Sequence, residues 1–204
     1  MIRHLVILPL LTLCLITQGC SEEPPPPAKA STKPQHELYL EWHDKCKTED
    51  TKVIDTQIKQ FESQLKANDK DQLARVYLGS ACALRAKASY WGLTKLKYLK
   101  RGQKLMDSAV EAAPNDPRVR MVRAIGSYKV PKRFDRRPVA VADFEKLVPI
   151  ASKDNSTLKT NERQAILYYA WLTFKEEGHK DADKTKQLCH QLAPSSKYGK
   201  LTAK

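Results

Sequence analysis

Glycine is scarce in this chain, with seven residues out of 204. None belongs to a Gly-rich phosphate loop or a Gly-x-Ser-x-Gly nucleophile elbow, and no His-Glu-x-x-His run is present. Paired carboxylates in apolar surroundings are missing as well. Glu176-Glu177 beside Gly178 reads as a helix terminus, and Pro194-Ser195-Ser196 as a helix end. No Cys-x-x-Cys pair exists, which excludes a zinc ribbon. These absences predict a non-enzymatic protein with no catalytic residue, no metal site and no cofactor. Long β-branched runs are also lacking. Ala, Leu, Lys and Glu fill the stretches between breaks, which predicts an all-α fold.

The first twenty residues read differently from the rest. Arg3 gives a positive start, residues 5–16 are apolar apart from Pro9 and Thr12, and Gly19 precedes Cys20. An apolar run this short fits a signal peptide better than a spanning helix of ~20 residues. The ending Thr17-Gln18-Gly19-Cys20 resembles a bacterial lipoprotein signal. Gly19 and Cys20 match that pattern, whereas Thr17 stands where Leu is usual and Gln18 where a small residue is usual. The resemblance implies a signal peptide at 1–19 and a diacylated Cys20 as the new N-terminus. An ordinary secretory signal and an uncleaved anchor remain alternatives. Residues 21–35, with Pro24 to Pro27 in a row, have no apolar period, so 20–35 reads as a tether. At roughly 3 Å per residue it would hold a domain roughly 40 Å from its anchor. Ser21 after the lipidated Cys resembles proteins sorted to the outer membrane. Cys46, Cys82 and Cys189 would then allow at most one disulfide, and Cys82 and Cys189 read as small core residues.

Apolar spacing predicts helices over 35–47, 51–67, 71–89, 93–112, 118–129, 139–150, 161–177 and 181–192. Ile54, Ile58, Phe61 and Leu65 share one helical face. Asn115 and Asp116 cap the helix that follows, with Pro117 in its first turn. Residues 153–159 read as a linker and 197–204 as a flexible tail.

A spacing then recurs. Gly102, Met106, Ala109 and Pro114 stand four, three and five apart, and so do Ala182, Lys186, Cys189 and Pro194. Ala140, Phe144 and Leu147 repeat the first two steps, with Ser152 where Pro would fall. Leu78-Gly79 with Cys82, Arg123-Ala124 with Ser127, and Tyr169-Ala170 with Thr173 put small residues where helices must touch. This pattern resembles the tetratricopeptide repeat family in three degenerate copies over residues 72–196. Ala170 to Ala182 keeps the family's spacing, whereas Gly79 to Gly102 is eleven residues too long and Ala124 to Ala140 four too long. The resemblance implies a right-handed stack of antiparallel helical hairpins (69–196), with N-terminal helices (36–68) as a cap. It also implies a partner groove built by the first helices. Here the groove would comprise Arg118, Met121, Ile125, Tyr128, Gln164, Leu167, Trp171, Phe174 and Lys175, although Trp171 and Phe174 also fit a plain core.

Charge is the last signal. With Arg3 set aside, 35 basic residues face 23 acidic ones. Residues 72–106 hold no acid at all, and 117–142 hold only Asp135. Lys95, Lys97, Lys100, Arg101 and Lys104 fall in the first window, and Lys132, Arg133, Arg136 and Arg137 in the second. This is either a docking face for lipid headgroups, cell-wall carboxylates or an acidic protein, or a solvated face whose stems cover apolar surface. Duplex DNA would suit the charge, but an envelope address argues against nucleic acid. His36, His43 and Cys46 share helical spacing that could be half a metal site, but the histidines read as surface side chains.

The sequence thus predicts a periplasm-facing envelope lipoprotein, on the outer membrane by the Ser21 argument, that scaffolds other envelope proteins. The alternatives are an accessory of a transport or secretion system that docks anionic lipid or an acidic partner through its basic windows, and an enzyme with an unfamiliar site.

Overall fold

The computed structural model describes residues 33–203, and every described segment of regular structure is helical. The predicted signal peptide, the lipidation site Cys20 and nearly all of the tether lie outside the described residues. Nine α-helices are described: α1 Gln35–Lys45, α2 Thr51–Ala67, α3 Gln72–Ala88, α4 Gly92–Ala112, α5 Pro117–Lys129, α6 Arg137–Ala151, α7 Thr160–Glu176, α8 Ala182–Leu192 and α9 Lys197–Leu201. A 3-10 turn at Lys132–Phe134 precedes α6.

The helix starts follow from local chemistry. Asp50 accepts the Lys52 amide at 2.8 Å, Asp71 the Ala74 amide at 2.8 Å, and Asp116 the Arg118 amide at 2.8 Å. Each satisfies a donor that has no partner within its own helix. Pro117 stands in the first turn of α5, where its missing N–H costs nothing. α7 ends at Gly178, which has φ +68°, a conformation open to glycine at little cost.

Consecutive helices joined by short connections pack as pairs: α3 with α4, α5 with α6, α7 with α8. Neighbouring pairs touch through α3–α5, α4–α5, α5–α7 and α6–α7. α5 serves both main cores. Val119 and Val122 join Ile54, Phe61, Tyr77 and Met106, whereas Met121 and Ala124 join Phe144, Leu147, Ile166 and Phe174.

The α3–α4 contact is backbone against backbone. A Cβ placed on Gly102 would stand 2.6 Å from the Gly79 carbonyl oxygen, and one on Gly79 would stand 2.6 Å from Met106 Cγ. Only glycine lets the two backbones come this close, which accounts for a helix former being absent at two mid-helix positions. Ala124 and Ala170 are fully buried as well. So are Met106, Ala109, Ala140, Phe144, Leu147 and Cys189 of the recurring spacing, while Ala182 and Lys186 are half-buried.

Two segments differ from expectation. Pro138 lies inside the first turn of α6 rather than before it. Residues expected as a flexible tail form α9, because Ser196 accepts the Gly199 amide at 3.0 Å and Tyr198 stacks on Tyr168 with centroids 4.7 Å apart.

Candidate functional site

The first helices of the pairs, α3, α5 and α7, carry a face that α1 partly covers. Tyr39 of α1 donates to the Asp71 carboxylate at 2.6 Å, and His43 Nε2 lies 2.8 Å from Ser80 Oγ. At its other end α1 reaches α7. His36 Nε2 stands 3.5 Å from Glu162, and Lys159 pairs with Glu37 at 2.8 Å. Glu162 also accepts from Arg118 at 2.8 Å and from the Lys159 amide at 2.7 Å. One carboxylate therefore links α5 to α7, with the His36 ring of α1 beside it. Loss of hydration against α3 holds His43 down at about 4, with Lys47 and Lys129 adding to the effect and Asp44 opposing it. His36 is lowered too, chiefly by burial, with Glu162 opposing. Neither histidine is the surface side chain the sequence suggested.

Beyond α1 the face is aromatic. Tyr128 of α5 meets Tyr169 at 5.8 Å, Tyr169 meets Tyr168 at 5.3 Å, and Tyr168 meets Trp171 at 5.8 Å. All four rings are half-buried. Cations stand against them: Lys129 over Tyr169, Arg137 over Tyr128, and Lys175 and Lys186 near Trp171. Burial and the Glu176 carboxylate push the Tyr128 hydroxyl up to about 12.

The nine residues expected to line a groove divide. Arg118, Ile125, Tyr128 and Trp171 are half-buried and Lys175 is exposed. Met121, Gln164, Leu167 and Phe174 are buried. Gln164 donates to the Cys189 and Ala193 carbonyls, and Phe174 stacks on His179 at 4.1 Å. Those four side chains hold the interior. Tyr168, Tyr169 and Tyr198 belong to the aromatic face and were not singled out for it. The run Leu167-Tyr168-Tyr169-Ala170-Trp171 is the signal that could have found the first two; no signal marked Tyr198.

The basic windows divide more sharply. Arg120 and Arg123 converge on the buried Asp143 at 2.7 and 2.8 Å. Asp107 takes Arg136 at 2.7 Å and Arg123 at 3.4 Å. Arg137 and Lys132 reach Glu176 and Glu177, and Arg101 pairs with Glu62. Arg133 lies over Phe134. Lys95, Lys97, Lys100 and Lys104 are exposed and make no ion pair among the described residues. An open hollow of about 410 Å³ on α4 is lined by Lys100, Lys104 and Arg136 but also by Asp107 and Glu111, so its charge is mixed.

Cys46, Cys82 and Cys189 are buried free thiols. Burial pushes Cys46 up to about 12 and Cys82 to about 11, far from the thiolate that reacts. Among the described residues no cluster of three metal-ligating side chains occurs, and no helix is long and apolar enough to cross a membrane. Compared with protein-family models, curated proteins and solved structures, the chain has no match.

Proposed function

We propose that this chain is a lipid-tethered adaptor of the bacterial envelope, facing the periplasm, that holds other envelope proteins on the face of α3, α5 and α7. The pairs would form a tetratricopeptide-like stack, with the small residues of the recurring spacing at the contacts. One observation carries the reading: that face already receives a helix of the same chain, α1, and next to α1 it presents the half-open rings Tyr128, Tyr168, Tyr169 and Trp171 with lysines beside them. Aromatic side chains give much contact area for little lost conformational freedom, which suits a surface made to be covered. The burial of the three thiols and the mixed charge of the hollow on α4 give no reason to place chemistry here.

The test is photocrosslinking in cells. A photoreactive phenylalanine at Ile125 or Trp171 should give adducts with envelope proteins, whereas the same group at Glu111, on exposed α4, should not. Equal labelling from both positions, or none from either, sinks the reading. Labelling with a fatty-acid probe, with Cys20→Ala as the control, tests the tether separately.

A further inference from the structure

The end of the α3–α4 hairpin shows large apolar side chains to solvent. Tyr90 is 88% exposed, Trp91 73% and Leu93 86%. A Cβ built on Gly92 would meet nothing within 4 Å, so the tip projects clear of the rest. At about 100° per residue, Leu93, Leu96, Lys97, Lys100 and Lys104 fall within a sector of about 100° on α4. Leu99, Gly102 and Met106, which are buried, occupy the opposite side. The outer stripe is therefore apolar at its tip and cationic over Lys97, Lys100 and Lys104, and only beyond them, away from the tip, do Asp107 and Glu111 continue the same sector. No side chain caps α4, and no acid stands in its first turn, so the tip also carries the positive pole of a 21-residue helix.

We propose that this stripe docks on an anionic lipid surface, with Trp91 and Leu93 entering the boundary between headgroups and acyl chains and Lys97, Lys100 and Lys104 against the phosphates. Three properties favour lipid over an acidic protein. A Trp–Tyr pair beside leucine, with lysines behind, is the composition of an interfacial segment. The cations are lysines, which act as point charges and suit a fluid anionic layer. The one arginine of α4, Arg101, which could grip a carboxylate bidentately, is already engaged with Glu62. The proposal rests on the tethered reading only in that the tether would keep a membrane within reach.

The purified full chain is mixed with vesicles of brominated phosphatidylglycerol or brominated phosphatidylcholine, and tryptophan fluorescence is followed. Trp42 and Trp171 contribute signal too, so the Trp91 component is taken as the difference from Trp91→Phe. The expected result is quenching of that component, at least about twofold stronger in anionic vesicles. It should fall to the zwitterionic level in the triple variant Lys97→Gln, Lys100→Gln, Lys104→Gln, and near 1 M salt, where the Debye length shrinks to ~3 Å. Quenching that ignores lipid charge overturns the proposal. So does a Trp91 component that no lipid quenches, including the case where a reactive group at position 91 links to a protein instead. Vesicle flotation also reports the N-terminal segment, whereas the Trp91 component reports the tip alone. Failure of the tether and failure of this face are thereby told apart.

Discussion

The α3–α4 and α5–α6 hairpins carry equally basic stretches of sequence and use them in opposite ways. The first is closed by backbone against backbone at Gly79 and Gly102. It needs no charge for its closure, and its lysines face solvent. The second is closed by charge. Arg120 and Arg123 share Asp143, and Arg136 reaches back to Asp107 on α4. A surplus of cations in a stretch of sequence is therefore no measure of surface potential. What matters is whether the fold brings acids to them: for α5–α6 it does, and for α3–α4 it does so at Arg85 and Arg101, which pair with Asp55 and Glu62 of α2, but not at the lysines of α4. The type of cation matters as well. The planar guanidinium can be held by two carboxylates or a carboxylate and a carbonyl at once, whereas a lysine ammonium remains hydrated at small cost.

Removing the acid from the second hairpin should have the largest effect. Asp143→Ala leaves the nearly buried Arg120 without its carboxylate and strips Arg123 of one of two partners. Breaking a buried pair in this way costs about 3–5 kcal/mol. For a domain of this size that is a fall in Tm of about 10 °C, readable by calorimetry. A loss under 1 kcal/mol would show that charge does not close this hairpin. The matching change in the first hairpin is Gly102→Ala, which drives a methyl into the Gly79 carbonyl. Helix propensity gains up to ~1 kcal/mol, but overpacking against backbone costs more, so a net loss of about 1–2 kcal/mol is expected. Should the variant gain stability in urea unfolding, the two backbones are not in forced contact.

Acid should distinguish the regions as well. The His43 ring has a pKa near 4 in the fold against 6.5 when unfolded. Between those values the unfolded chain binds more protons, so stability falls as pH falls from 6.5 to 4 and does not change above it. The ring is half-buried, which limits the loss to roughly 1–2 kcal/mol after allowing for solvent screening. His36 shifts in the same direction and adds to it. Amide exchange in α1 and α3 should therefore quicken over that range, and His43→Gln, which can still bond to Ser80, should remove the His43 share. An unchanged pH profile in the variant would mean that the packing of α1 on α3 does not desolvate this ring.

Most helix limits were legible because their signals are local. Asp116 and Pro117 mark a start that the structure keeps, and the misfit glycines at 79 and 102 pointed to a close crossing. What escaped was long-range. Asp107 and Asp143 each stand one residue past the end of a basic window, and nothing local says that they fold back onto Arg123 and Arg136. Asp143 did carry a hint, as a lone acid between Ala140 and Phe144 in an apolar run. The seat of α1 also escaped, because its weak amphipathic pattern does not say which helix it meets. α9 is only five residues long, too short for a period to register. At the candidate site the same division holds: positions on α5 and α7 could be proposed, but which rings remain half-open depends on contacts with α8 and α9.

The smallest predicted effect is the one that tests the contrast most directly. Changing Lys97, Lys100 and Lys104 together to Gln removes three cations from the first hairpin, yet should leave its stability almost unchanged. No ion pair among the described residues holds them. Lys97, Lys100 and Lys104 stand three and four apart on one helix face, where like charges repel by ~0.2–0.5 kcal/mol, an effect that Asp107, three residues past Lys104, offsets in part. Relief of that repulsion predicts a gain of a few tenths of a kcal/mol at low salt that disappears as salt screens it. The stems remain as long in Gln as far as Cδ, so most of the apolar cover survives. A gain that vanishes with salt would show that these cations serve nothing within the fold. A loss above about 1 kcal/mol, well outside the usual range for surface changes, would mean that they are held inside the chain as the arginines are, and the contrast between the hairpins would disappear.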